Sequence, residues 1–110
     1  APRPVDADAL LAERALDGDP LARTALAERV AAPLESAGGG VLDTVRAVLG
    51  SGGNLEASAR ALFVHPNTVR YRLKRVTELT GLSATDPRGS WTLQVALALA
   101  ALDGGRSLWS

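Results

Sequence analysis

The sequence predicts an all-α fold, and three observations carry that expectation. Apolar residues fill 46% of the 110 positions but aromatics only 4%, and an alanine-rich composition of this kind suits helices packed closely through small side chains. Apolar residues recur at helical spacing, as in Val41, Leu42, Val45, Val48 and Leu49. Glycine and proline fall between such segments, at Gly18, Pro20, Gly38 to Gly40, Gly52, Gly53, Pro66 and Gly81.

Taken in order, Val5 to Leu16 predicts a first helix, capped by Asp6 or Asp8 and stopped by Gly18. Asp19-Pro20 restarts the chain, and Leu21, Ala25, Leu26, Arg29 and Val30 keep a helical period to Ala32, where Pro33 is expected to end or kink the helix. Neither helix carries visible chemistry, and both read as packing elements from the edge of an upstream domain. Ser36 to Gly40 predicts a linker, because three consecutive glycines are too costly in backbone entropy for a helix interior. The run lacks the Lys-Ser/Thr or GxGxxG context of a phosphate-binding loop. Val41 to Leu49 predicts an amphipathic helix ended by Gly50-Ser51-Gly52-Gly53.

The stretch from Asn54 to Thr80 is the most informative. Asn54 suits the cap of a short helix to about Leu62, Phe63-Val64-His65 a tight connection, and Pro66 the first turn of a second helix reaching about Leu79. Leu55, Ala59 and Leu62 point inward on the first helix, with small Ala59 where the two must cross closely. Val69, Leu73 and Val76 form the matching stripe on the second. From Ala57 to Thr77 there are five basic residues and no acidic one. This is the pattern of a helix-turn-helix, whose second helix fits the major groove of B-form DNA and offers Arg, Lys and Asn donors to base edges. Early positions on that helix predict base contacts by Asn67, Arg70, Tyr71 and Lys74. Phosphate contacts are expected from Arg60, His65, Thr68, Arg72 and Arg75.

Beyond it, Thr80-Gly81 supplies a stop, and Asp86-Pro87 resembles a cap with a first-turn proline. Trp91 to Leu102 is apolar nearly all round, with Trp91, Val95, Leu99 and Leu102 on one stripe and Leu93, Leu97 and Ala100 on another. Such a helix must be covered on two faces. The first stripe is expected to meet the helix-turn-helix core, the second the N-terminal helices or a second subunit. The chain therefore divides into a helical arm (1–37), a linker (38–40), a tri-helical helix-turn-helix core with its C-terminal apolar helix (41–102) and a flexible tail (103–110).

Composition narrows the function. The formal net charge is zero, yet residues 1–36 hold seven acidic against four basic side chains while Arg70, Arg72, Lys74 and Arg75 crowd one helix. With no cysteine and one histidine, disulfides, thiolate catalysis, a zinc cluster and any metal or cofactor site are not expected. No leader pattern or span-length apolar run appears, since Val95 to Leu102 is far shorter than the ~20 residues a bilayer requires. A cytoplasmic protein without membrane contact is expected. The absence of Met, including at the start APRP, points to a piece of a longer protein. An enzyme is not expected, because His65, the one candidate base, has no nucleophile or carboxylate at fixed spacing.

At GGNLEASARALFVHPNTVRYRLKRVTELTG the chain resembles the C-terminal helix-turn-helix domain of the PucR family of bacterial transcriptional regulators, the group that includes the sugar-diacid regulators. The resemblance extends through DPRGSWTLQVALAL and covers about Val41 to Leu102; LLAERALDGDPLARTALAERVAAPL is similar to the end of the region such regulators carry upstream. It implies an output domain that binds double-stranded DNA, following an effector-sensing domain of the same chain, and it carries over no ligand; a homodimer reading two half-sites is expected alongside it. A looser similarity to Fis-type segments covers Asn54 to Arg75. Phe63 departs from many helix-turn-helix proteins, which have Gly at that turn. The competing expectation is a helical dimerisation or protein-interaction module without direct DNA reading, built from Val5 to Ala32 and Trp91 to Leu102.

Overall fold

The computed structural model describes residues 10–109, with side chains to residue 103. Among these residues the chain is helical and has no strand. The expected caps Asp6 and Asp8, with the start of the first helix, lie outside the described residues. Its remainder is α1, Leu11–Leu16, and α2 follows as Pro20–Leu26. The Asp19 carboxylate caps α2 by accepting from the Leu21 and Ala22 N–H groups at 2.9 and 3.4 Å, and Pro20 takes a first-turn position where no donor is needed.

Pro33 does not end the helix. A π-helical turn, Ala27–Ala31, joins α2 to α3, Ala32–Ala37. In it the Ala32 N–H reaches back five residues to the Ala27 carbonyl. A proline inside a helix removes one donor and crowds the turn before it, and widening that turn lets the helix continue. Glycines 38 to 40 form a tight turn, all three with positive φ (67°, 61° and 78°). The expected linker is thus a fixed reversal, after which α4, Val41–Gly50, packs back on α3.

Helices α4, α5 (Leu55–Leu62) and α6 (Pro66–Thr80) pack pairwise against one another as the tri-helical unit. Val41, Val45 and Val48 are buried on α4, Ala59 on α5, and Val69 and Val76 on α6; Leu42, Leu49, Leu55, Leu62 and Leu73 lean on them half-buried. The expected inward positions are therefore the observed ones, with two additions. Thr44 and Ser58 are fully buried polar residues whose hydroxyls donate to the Gly40 and Asn54 carbonyls, each at 2.8 Å. A buried hydroxyl with a backbone acceptor four residues back carries no unsatisfied donor into the core.

After Gly81 closes α6 in the left-handed conformation, α7 runs Pro87–Trp109. Asp86 caps it through the Gly89 N–H at 3.0 Å. The helix continues seven residues past Leu102, the end expected from the apolar pattern. Gly104 and Gly105 lower helix propensity but keep their N–H groups, so unlike proline they leave the hydrogen-bond ladder intact.

One expectation about α7 changes. It packs mainly on α1, α2 and the π turn, not on the tri-helical unit. Small residues explain the choice: Ala12, Ala15 and Ala22 are buried on the N-terminal helices, and Leu93, Val95, Ala96 and Leu97 fill against a core that also holds Leu26 and Val30. The N-terminal segment is thus a packed half of the molecule. The π turn and α3 connect it to α4 and α6, and one continuous buried cluster runs through both halves.

Candidate nucleic-acid interface

The turn between α5 and α6 fixes where α6 begins. Asn54 opens α5 by accepting the Ala57 N–H at 2.9 Å, and its own N–H donates to the Ser51 hydroxyl at 3.1 Å. Ser51 in turn meets Ser58 at 3.1 Å, so two serines hold the capping residue. At its other end α5 closes in a Schellman arrangement: Val64 N–H donates to the Ala59 carbonyl at 3.0 Å and Phe63 N–H to the Arg60 carbonyl at 3.2 Å. Phe63 takes the left-handed conformation there, φ 58° and ψ 41°, which is the geometry glycine supplies in many such turns.

His65 then caps α6. Its Nδ1 accepts the Asn67 N–H at 3.0 Å, and the ring is otherwise exposed. Pro66 occupies the first turn. The first turn of α6 therefore leaves no N–H unpaired, since Pro66 has none and His65 takes those of Asn67 and Thr68, and what favours an anion at this end is the helix dipole.

Asn67, Arg70, Tyr71 and Lys74 are all exposed, Tyr71 to 69%. At about 100° per residue they fall within an arc of about 100° on α6, opposite buried Val69 and Val76. The Arg70 Nη1 donates to the Asn67 Oδ1 at 3.0 Å, which joins two members of this group on the first turn. The phosphate set is more dispersed. Arg60 is exposed on the last turn of α5, His65 is the cap, and Thr68 is half-buried with its N–H on the His65 carbonyl at 2.9 Å. Arg75 is exposed and lies 3.7 Å from Glu78, a surface pair of small energetic weight.

Arg72 stands apart. Half-buried on the flank of α6, it sends Nη1 to the Thr44 hydroxyl at 3.3 Å and lies against Gly40, where a β-carbon would stand 2.7 Å from Nη1. Sequence reasoning gave Arg72 one role and Gly40 and Thr44 none at this contact. The only signal was the glycine itself, since a residue without a β-carbon permits close approach.

Among the described residues no cluster of His, Cys, Asp or Glu could hold a metal ion, and no helix is long and apolar enough to cross a membrane. A surface depression lined by Leu10, Glu13, Arg14, Leu16 and Asp17 lies on α1, away from the helix-turn-helix.

Two helices joined by a tight turn, a third helix across them and an exposed polar stripe on the second define a helix-turn-helix domain of the transcription-regulator class. Residues 41–99 match the PucR C-terminal helix-turn-helix domain, and the chain belongs to that family. A protein of Mycobacterium tuberculosis is 53% identical over 103 residues, which is 94% of this chain and 25% of that protein. The carbohydrate diacid regulator of Escherichia coli is 49% identical over 43 residues, 39% of this chain and 11% of that protein. The crystal structure of a regulator of polyketide synthase expression from Bifidobacterium adolescentis is similar with a TM-score of 0.84 at 47% identity, covering 87% of this chain and 38% of that one. The chain thus spans about a quarter of the length of the mycobacterial relative it matches almost throughout.

Proposed function

We propose that this chain binds duplex DNA sequence-specifically as the output domain of a bacterial transcriptional regulator, with α6 in the major groove. The observation that carries the reading is the exposed set Asn67, Arg70, Tyr71 and Lys74 on one arc of α6, in a segment free of acidic residues from Ala57 to Thr77. These side chains offer donors to purine edges, and Arg60, His65, Thr68, Arg72 and Arg75 flank them for phosphate contacts. Relatives named as regulators support it. In the longer protein the domain acts as a homodimer on two half-sites, follows an effector-sensing domain and works in the cytoplasm.

The test is an anisotropy titration with duplex DNA across a salt series. Each phosphate contact removed lowers the slope of log K against log salt by about one, so Arg60→Ala and Arg75→Ala flatten it while Asn67→Ala leaves it unchanged and relaxes base preference. Equal slopes for all variants overturn the phosphate assignments.

A second reading, a helical interaction module, draws on Leu10, Leu16, Leu21 and Leu102, which are exposed on α1, α2 and α7 or at their edges, Leu21 to 77%. Sedimentation over a concentration range, with and without DNA, separates the two. Association that DNA does not alter favours the module.

A further inference from the structure

Phe63 closes α5 at a backbone cost that its exposed ring does not recover within the fold. Its backbone sits in the left-handed region, at φ 58° and ψ 41°, where a β-carbon meets steric resistance that glycine escapes. No other non-glycine among the described residues has a positive φ. An aromatic ring can offset such a cost by burial, yet this one is 94% exposed, more than any other large apolar side chain described. A strained residue that persists without internal compensation points to a contact outside the chain.

Its position says what that contact is. Phe63 lies two residues ahead of His65, the cap of α6, and its N–H is held by the Arg60 carbonyl. Arg60, His65, Asn67 and Arg70 are all exposed around this end of the helix, and the segment has no acidic residue. A cationic setting is poor for docking a protein's apolar surface and good for polyanionic DNA. Within the major groove the apolar group available to a phenyl ring is the C5-methyl of thymine. We propose that Phe63 is a specificity-determining residue whose ring seats on a thymine methyl at the edge of the half-site read by α6. The inference rests on the DNA-binding reading above and adds to it a base preference that no hydrogen-bonding residue supplies.

The experiment begins with a motif enriched by the intact chain from a random duplex pool. Affinity is then measured for the intact chain, Phe63→Ala and Phe63→Gly, on that duplex and on versions with deoxyuridine at individual thymines, which removes only the methyl group. The melting temperature of each protein is read alongside. The intact chain loses about fourfold at one thymine, the worth of burying one methyl group, and both variants lose a similar factor on the thymine duplex but discriminate no further against uracil. Phe63→Gly melts a few degrees higher because its strain is relieved, while Phe63→Ala keeps the β-carbon and does not gain. Opposite movements of stability and affinity in Phe63→Gly exclude a folding role for the ring. Affinity unchanged by both variants, or lost equally on thymine and uracil duplexes, overturns the thymine contact while leaving DNA binding standing. No motif enriched by the intact chain overturns the broader reading as well.

Discussion

Arg72 on α6 reaches across the tri-helical unit to Thr44 on α4, with Nη1 3.3 Å from the threonine hydroxyl and the guanidinium laid over Gly40. This contact ties α6 to the turn that starts α4. A β-carbon at residue 40 would stand 2.7 Å from Nη1, so the guanidinium would have to move aside. Gly40→Ala is therefore expected to destabilise by about 1–2 kcal/mol, from positive φ and from displacing Arg72. In an Arg72→Ala background the cost of Gly40→Ala shrinks, giving a coupling of at least about 0.5 kcal/mol in a denaturant double-mutant cycle. Additive effects contradict the contact.

Gly89 answers to a different constraint. It lies in the first turn of α7, its N–H on Asp86, and a β-carbon there would run into the backbone of Ser83. Backbone cannot swing aside as a side-chain tip can. Gly89→Ala is expected to cost about 1–3 kcal/mol by overpacking in urea unfolding. A variant as stable as the parent would show that the turn into α7 is looser than described.

The His65 cap separates fold from binding. His65→Ala removes the acceptor for the Asn67 N–H and should cost about 1 kcal/mol, whereas His65→Asn restores a good cap. If Nε2 of His65 also meets a phosphate, His65→Asn recovers stability without recovering DNA affinity. Recovery of both by Asn would leave the ring no part in binding.

Acid should loosen the junction of α1 and α7. Arg88 pairs with Glu13 at 2.8 Å, and its hydrogen bonds hold the Glu13 carboxyl below the usual 4.5. The folded protein then takes up this proton at lower pH than the unfolded chain. Stability from the pair is complete above about pH 4.5 and fades as pH falls through the depressed value. Melting temperatures of Glu13→Gln should depend less on pH below 4.5 than those of the parent, with a remainder from Asp19, whose carboxyl Arg14 also holds low. Identical pH profiles contradict this. Both partners are exposed, so the difference is small and diminishes with added salt.

The local signals were legible because each is satisfied within a few residues. Asn54, Asp86, Pro66 and Gly81 sit where cap chemistry demands, and Val69 and Val76 are buried as their spacing requires. Contacts between distant residues were not. Nothing local says that α7 packs on α1 and α2, where Ala12, Ala15 and Ala22 are buried, since an apolar helix needs cover without naming it. Pro33 signalled an end or a kink, and what it produced is a π turn before it through which the helix continues. Gly38 to Gly40 offered freedom, and packing of α3 on α4 turned that freedom into a defined reversal. At the candidate interface, the shared exposed arc of Asn67, Arg70, Tyr71 and Lys74 was readable from helical period alone, whereas the orientation of Arg72 depended on a residue thirty-two positions away.

The central claim, that α6 reads duplex DNA, is tested most directly by selection from a random duplex pool at near-physiological salt, with the intact chain and an Arg70→Ala, Lys74→Ala double variant in parallel. The account predicts that the intact chain enriches a motif, as an inverted repeat with half-sites about one helical turn apart if it acts as a dimer, and that the variant does not. Enrichment of the same motif by both proteins, or of none by the intact chain, would contradict it.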